Sequence, residues 1–100
     1  MNRTDAIRIL KQHETELTAL GIARLSLFGS TARDQAGDDS DLDIVVTLEP
    51  RPHGSAYFGK LDEIEKLVSR LISTNVDVLA EPVREPGLRR AIERDKVDVF

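Results

Sequence analysis

Asp41 and Asp43 flank a single leucine at the head of an apolar run, in the stretch "SDLDIVVTL". Side chains two apart on a strand project from the same face. If this run is extended, the two carboxylates stand together, with Cα atoms roughly 6–7 Å apart. Like charges that close raise each other's pKa and cost stability unless a cation lies between them. An all-oxygen donor set, in a chain without cysteine and with no histidine nearby, suits Mg²⁺ or Mn²⁺ rather than zinc. A third acid, Asp77, sits in "NVDVLA", again between apolar residues. If its strand neighbours the first, three carboxylates meet at one end of a sheet, an arrangement that suits two-metal phosphoryl or nucleotidyl transfer. One metal would hold the nucleotide's phosphates. The other would activate an acceptor hydroxyl, and the third carboxylate would take its proton. A strand-edge acid or a cap is the plainer reading of Asp77, and spacing alone leaves both open.

A calcium loop is the local rival. Asp39, Asp41 and Asp43 fall at its positions one, three and five, but Ile44 and Pro50 stand where it needs Gly and Glu. Upstream, Gly29 and Ser30 follow the apolar run "ARLSLF" and precede "TARD". A glycine allows close approach of a phosphate, and a helix start with a serine hydroxyl offers donors to it. An ordinary capped turn has the same sequence. No Gly-x-x-x-x-Gly-Lys loop is present, which disfavours a P-loop enzyme.

These residues need a frame to hold them. Thr4 is the expected N-cap of a first helix, with Ala6, Leu10, His13, Leu17 and Leu20 along one stripe and Gly21 as its stop. Residues 23–28 and 41–48 read as strands, the second rich in β-branched residues. The two prolines and the glycine of 49–55 mark a loop. Tyr57, Leu61, Ile64, Val68 and Leu71 give a second helical stripe to about residue 73, followed by a strand at 75–80. Pro86 opens a short helix to about Arg94, and 97–100 is a last short strand or a packed tail. The expected fold class is α/β (α+β), one domain over residues 1–100, with a small sheet and helices packed on at least one face.

Smaller assignments follow. Arg33 either contacts a phosphate or pairs with Asp34 or Asp38. His13 is a partly buried polar residue or a partner contact. Arg89, Arg90 and Arg94 form a solvated face, Phe28, Tyr57 and Phe58 are core residues, and Asp38 and Asp39 are loop acids. The net charge of -4 argues against direct nucleic-acid binding. The N-terminus lacks the apolar stretch of a signal peptide and no run is long enough to span a membrane, so a cytoplasmic protein is expected.

Taken together, "GSTAR" followed by "SDLDIVV", with Ser30 eleven residues before Asp41, resembles the signature of the DNA polymerase beta-like nucleotidyltransferase superfamily. The form "LFGSTAR" and the tail "PGLRRAIERDKVDVF" are most similar to its minimal nucleotidyltransferase (MNT) group, often encoded beside HEPN-domain proteins as toxin–antitoxin pairs. The resemblance implies the polymerase beta-like fold with a small mixed β-sheet. It implies a triphosphate site at Gly29 and Ser30, with Arg33 as a phosphate contact. It implies metal binding by Asp41, Asp43 and Asp77, with Asp77 also as base. It further implies transfer of AMP from ATP, with two Mg²⁺ ions (Mn²⁺ as a substitute), to a hydroxyl of a HEPN toxin, expected to be a tyrosine. Asp34 stands where the family commonly has Gly, which bears on the turn near the phosphates. The alternatives are an antitoxin that neutralises its partner by binding alone, and a small-molecule nucleotidyltransferase, which usually carries an additional helical domain.

Overall fold

A computed structural model describes residues 2–33 and 41–100; the expectations for Asp34, Asp38 and Asp39 lie outside the described residues. The elements run α1 (Arg3–Gln12), α2 (Glu14–Ala19), β1 (Ile22–Phe28), α3 (Gly29–Ala32), β2 (Leu42–Leu48), α4 (Ser55–Ile72), β3 (Val76–Ala80), α5 (Pro86–Asp95) and β4 (Val97–Asp98). The strands form one mixed sheet in the order β3-β2-β1-β4. β1 is antiparallel to both β2 and β4, whereas β2 and β3 run parallel. Parallel neighbours need a long crossover, and α4 supplies it.

Strand alternation divides the sheet into two faces. Leu42, Ile44, Val46 and Leu48 of β2 face the main core with Leu25 and Leu27 of β1 and Val76 and Ala80 of β3. Ala6 and Leu10 of α1, Leu17 of α2, and Ile64, Val68 and Ile72 of α4 close over them. The opposite face carries Asp43, Val45 and Thr47, next to Phe28, Ser26 and Arg24 of β1. Val45 of this second face and Ile92 of α5 are buried outside the main core cluster. The buried Ser26 hydroxyl donates to the Asp98 carboxylate at 2.7 Å, which satisfies it. No described helix is long and apolar enough to cross a membrane.

Four expectations are corrected. The first helix starts two residues earlier than expected, because the Asn2 side chain accepts the Asp5 N–H at 2.8 Å and takes the N-cap position from Thr4. It also breaks at His13, whose N–H turns back to the Leu10 carbonyl at 3.2 Å, giving two helices in place of one. Phe58 is 71 % exposed rather than core, since the buried stripe of α4 is Ile64, Val68 and Ile72. Tyr57 and Phe28 are only partly buried.

Candidate active site

The carboxylate end of the second face is assembled by strand register. Asp43 lies directly opposite Asp77 across the parallel β2–β3 pair, and opposite Phe28 across the antiparallel β1–β2 pair. In-register neighbours on adjacent strands project from the same face, so Asp43 and Asp77 meet. Asp41 precedes β2 by one residue and is exposed, as is Asp77, whereas Asp43 is half-buried.

Burial pushes the Asp43 carboxyl above its usual range, with the nearby charges of Asp77 and then Asp41 adding to the shift. Asp43 also shares a hydrogen bond with Asp77, and the Arg33 charge opposes the rise. Two carboxylates cannot hydrogen-bond unless one holds a proton. A proton or a cation between the two acids would offset their repulsion.

The Gly29–Ser30 turn abuts the same carboxylate. Gly29 follows Phe28, the β1 partner of Asp43, and has a φ of +70°. A Cβ at Gly29 would clash with the nearer Asp43 oxygen and lie 3.2 Å from its Cγ. Glycine is thus required twice, for its backbone angle and for the space that Asp43 occupies. The turn leads into the single-turn helix α3, whose C-terminal end is held by the Arg3 guanidinium donating to the Ala32 carbonyl at 3.1 Å.

Arg33 does more than the sequence suggested. Its guanidinium donates to the Asp95 carboxylate at 3.1 Å, bridging the end of α3 to α5. Asp95, with a side chain only 12 % exposed, also receives two bonds from Arg94. The Arg94 hydrogen bonds, reinforced by Arg33, hold its carboxyl below the ordinary range. The sequence did not disclose this Asp95 contact: it lies 62 positions from Arg33, and no local pattern links the two. Arg94 reaches Asp95 yet stays exposed with Arg89 and Arg90, as expected of a solvated face. His13, half-buried, meets the Glu16 carboxylate through Nδ1 at 2.8 Å.

The donor set suits a divalent cation. Asp41, Asp43 and Asp77 offer oxygen ligands alone, and the half-buried Asp43 bears the cost of like charges beside it. Among the described residues no three acids or histidines are already closed into metal-holding geometry.

Comparison with known proteins gives a consistent picture. The family described as "Nucleotidyltransferase domain" matches residues 8–99. The protein adenylyltransferase MntA of Thermococcus cleftensis is 32% identical over 92 residues, spanning 91% of this chain and 89% of that relative. A solved structure provisionally assigned as a minimal nucleotidyltransferase superposes with a TM-score of 0.75 at 28% identity, over 97% of this chain and 95% of that one. The fold is also shared, at a TM-score of 0.58 and 15% identity, with a chain in the complex of a tri-AMPylated Shewanella oneidensis HEPN toxin and an MNT antitoxin, over 90% of this chain and 71% of that one.

Proposed function

The chain belongs to the nucleotidyltransferase domain family, and on that premise we propose that it transfers AMP from ATP to a hydroxyl, a tyrosine in the simplest case, of a HEPN-domain toxin, acting as that toxin's antitoxin. The observation that carries this reading is the register pairing of Asp43 with Asp77 beside the Gly29 turn. A glycine packed on one carboxylate, itself in register with a second, supports a shared site for phosphate and metal.

Each residue has a task set by its place. Asp41 and Asp43, with Asp77, would hold the divalent cations. Such cations, when bound, offset phosphate charge and make a hydroxyl more acidic. Gly29 and Ser30 present backbone N–H groups and a hydroxyl at the start of α3, where triphosphate oxygens can accept. Arg33, braced by Asp95, directs positive charge toward Asp43 and any phosphate near it. Asp77, the more exposed of the paired acids, accepts the proton leaving the acceptor hydroxyl. The hydroxyl oxygen forms a bond to the α-phosphorus, and the bond from that phosphorus to the pyrophosphate oxygen breaks. The protein contributes mostly position and charge compensation.

Label position tests the reaction class. With a HEPN-domain partner and Mg²⁺, α-labelled ATP should leave its label on the partner while γ-labelled ATP should leave none. Label from the γ position would make the protein a phosphoryl transferase. No label from either, together with a partner that is still neutralised, would make it an antitoxin by binding alone.

A further inference from the structure

Among the described residues, one edge of the sheet is open beside the carboxylates. Among the described residues β3 pairs only with β2. The Asn75 carbonyl accepts from the Leu42 N–H at 2.9 Å, and the Glu81 N–H donates to the Val46 carbonyl at 2.9 Å. In a parallel pair, alternate residues turn both backbone groups toward the same neighbour. Asn75, Asp77, Leu79 and Glu81 therefore face β2, while Val76, Val78 and Ala80 direct their N–H and C=O groups outward. Native proteins usually cover or charge such an edge.

Here the edge opens into a cleft of about 770 Å³, lined by Val78, Leu79 and Val83 together with Tyr57, Phe58 and Leu61 of α4. Phe58 stands 71 % exposed, held edge-on against Tyr57 with ring centroids 5.3 Å apart. A large aromatic left in solvent beside an open strand is the composition of a binding anchor. The lining also carries Arg51, His53 and Arg84. Its one acid among the described residues, Glu85, is committed elsewhere: its carboxylate accepts from the Gly87 N–H at 2.9 Å and from the Leu88 N–H, capping α5. Its described lining is thus cationic on a chain whose net charge is -4.

We propose that the acceptor protein docks here by adding an extended segment to the free edge of β3, with an apolar side chain against Phe58 and acidic residues on either side. This rests on the reading of the chain as a protein adenylyltransferase. The outward groups of Val76, Val78 and Ala80 supply strand pairing, and Arg51 and Arg84 supply charge complementarity. An added strand lies about 4.8 Å from β3. A residue on it level with Asp77 projects from the same face as the carboxylates, which brings an acceptor hydroxyl to the group that takes its proton. A second copy of this chain is a poorer occupant, because the cationic rims would meet.

The test uses the full chain with a HEPN-domain protein that co-purifies with it, and three variants outside the catalytic group. Val78→Pro removes one outward N–H and leaves the β2 ladder intact. Phe58→Asp removes the anchor, and Arg51→Glu with Arg84→Glu reverses the rim. Each should raise the KM for the partner by at least about tenfold, with the affinity for ATP and Mn²⁺ unchanged. Hydrogen exchange should show Val76, Val78 and Ala80 amides protected only in the complex. Wild-type transfer with unprotected amides and unaffected variants would overturn the docking site alone. Protected amides without transfer would keep the docking site and remove the adenylyltransferase reading. Protection in the isolated chain, with doubled mass by light scattering, would assign the edge to self-association and overturn the proposal.

Discussion

Asp43 is where chemistry and stability conflict most directly. Its carboxyl is raised by burial first and by its acidic neighbours second. A folded-state pKa above the unfolded value means that the native chain holds this proton to higher pH than the unfolded chain. The stability contribution is therefore complete below the unfolded pKa and is lost as pH rises through the folded pKa. In a chelator, Asp43→Asn should melt higher than wild type by on the order of 2–5 °C at neutral pH, because an amide can donate to Asp77 without the charge. The gap should close as pH falls below the usual aspartate range. Thermal scans across pH check both signs, and a variant less stable than wild type at neutral pH would show that the paired acids carry no such cost. Gly29→Ala tests the other half of the site. Alanine at a φ of +70° costs about 1–2 kcal/mol, and its Cβ must displace the Asp43 carboxylate. Stability should fall by that amount, and transfer by about a hundredfold, the scale expected when a reacting group is moved by about 1 Å. The acids and the glycine were legible as a pattern of types and spacings. The Arg33–Asp95 bridge was not, because a contact across 62 residues leaves no local trace.

The elements were legible where periodicity and breakers agreed. β2 stood out through its β-branched residues, and α5 through Pro86 at its first position. The first helix was misjudged at both features that depend on a single hydrogen bond: the Asn2 cap and the break at His13. Periodicity continues across such a break because the buried stripe, Ala6, Leu10 and Leu17, still faces one core. At the end of α4, Ser73 adopts the left-handed conformation at φ 62°, with its N–H donating to the Ser69 carbonyl at 2.8 Å. Glycine is the residue that this C-cap geometry favours. Ser73→Gly should therefore stabilise the fold by about 1 kcal/mol, measured by denaturant midpoint, without affecting transfer. A loss of stability would mean that the serine side chain holds the turn by another contact.

At the scale of the molecule, the sheet order explains why so short a chain can hold a site. A parallel β2–β3 pair places Asp77 beside Asp43, and an antiparallel β1–β2 pair places Gly29 beside it from the other side. Strand pairing was the one step that the sequence left open for Asp77, since spacing within a strand says nothing about its neighbour. The same order leaves β3 at an edge, with a cationic, aromatic cleft along it. The exposed Phe58 was read as core because aromatic content alone does not reveal which helical face meets the sheet. The account as a whole rests on the carboxylate pair working in transfer. The most direct measurement compares wild type and Asp43→Asn for label passing from α-labelled ATP to the HEPN-domain partner, with folding of both confirmed by circular dichroism. The account predicts a labelled partner with wild type and none with the variant. A folded Asp43→Asn protein that labels its partner at the wild-type rate would contradict it.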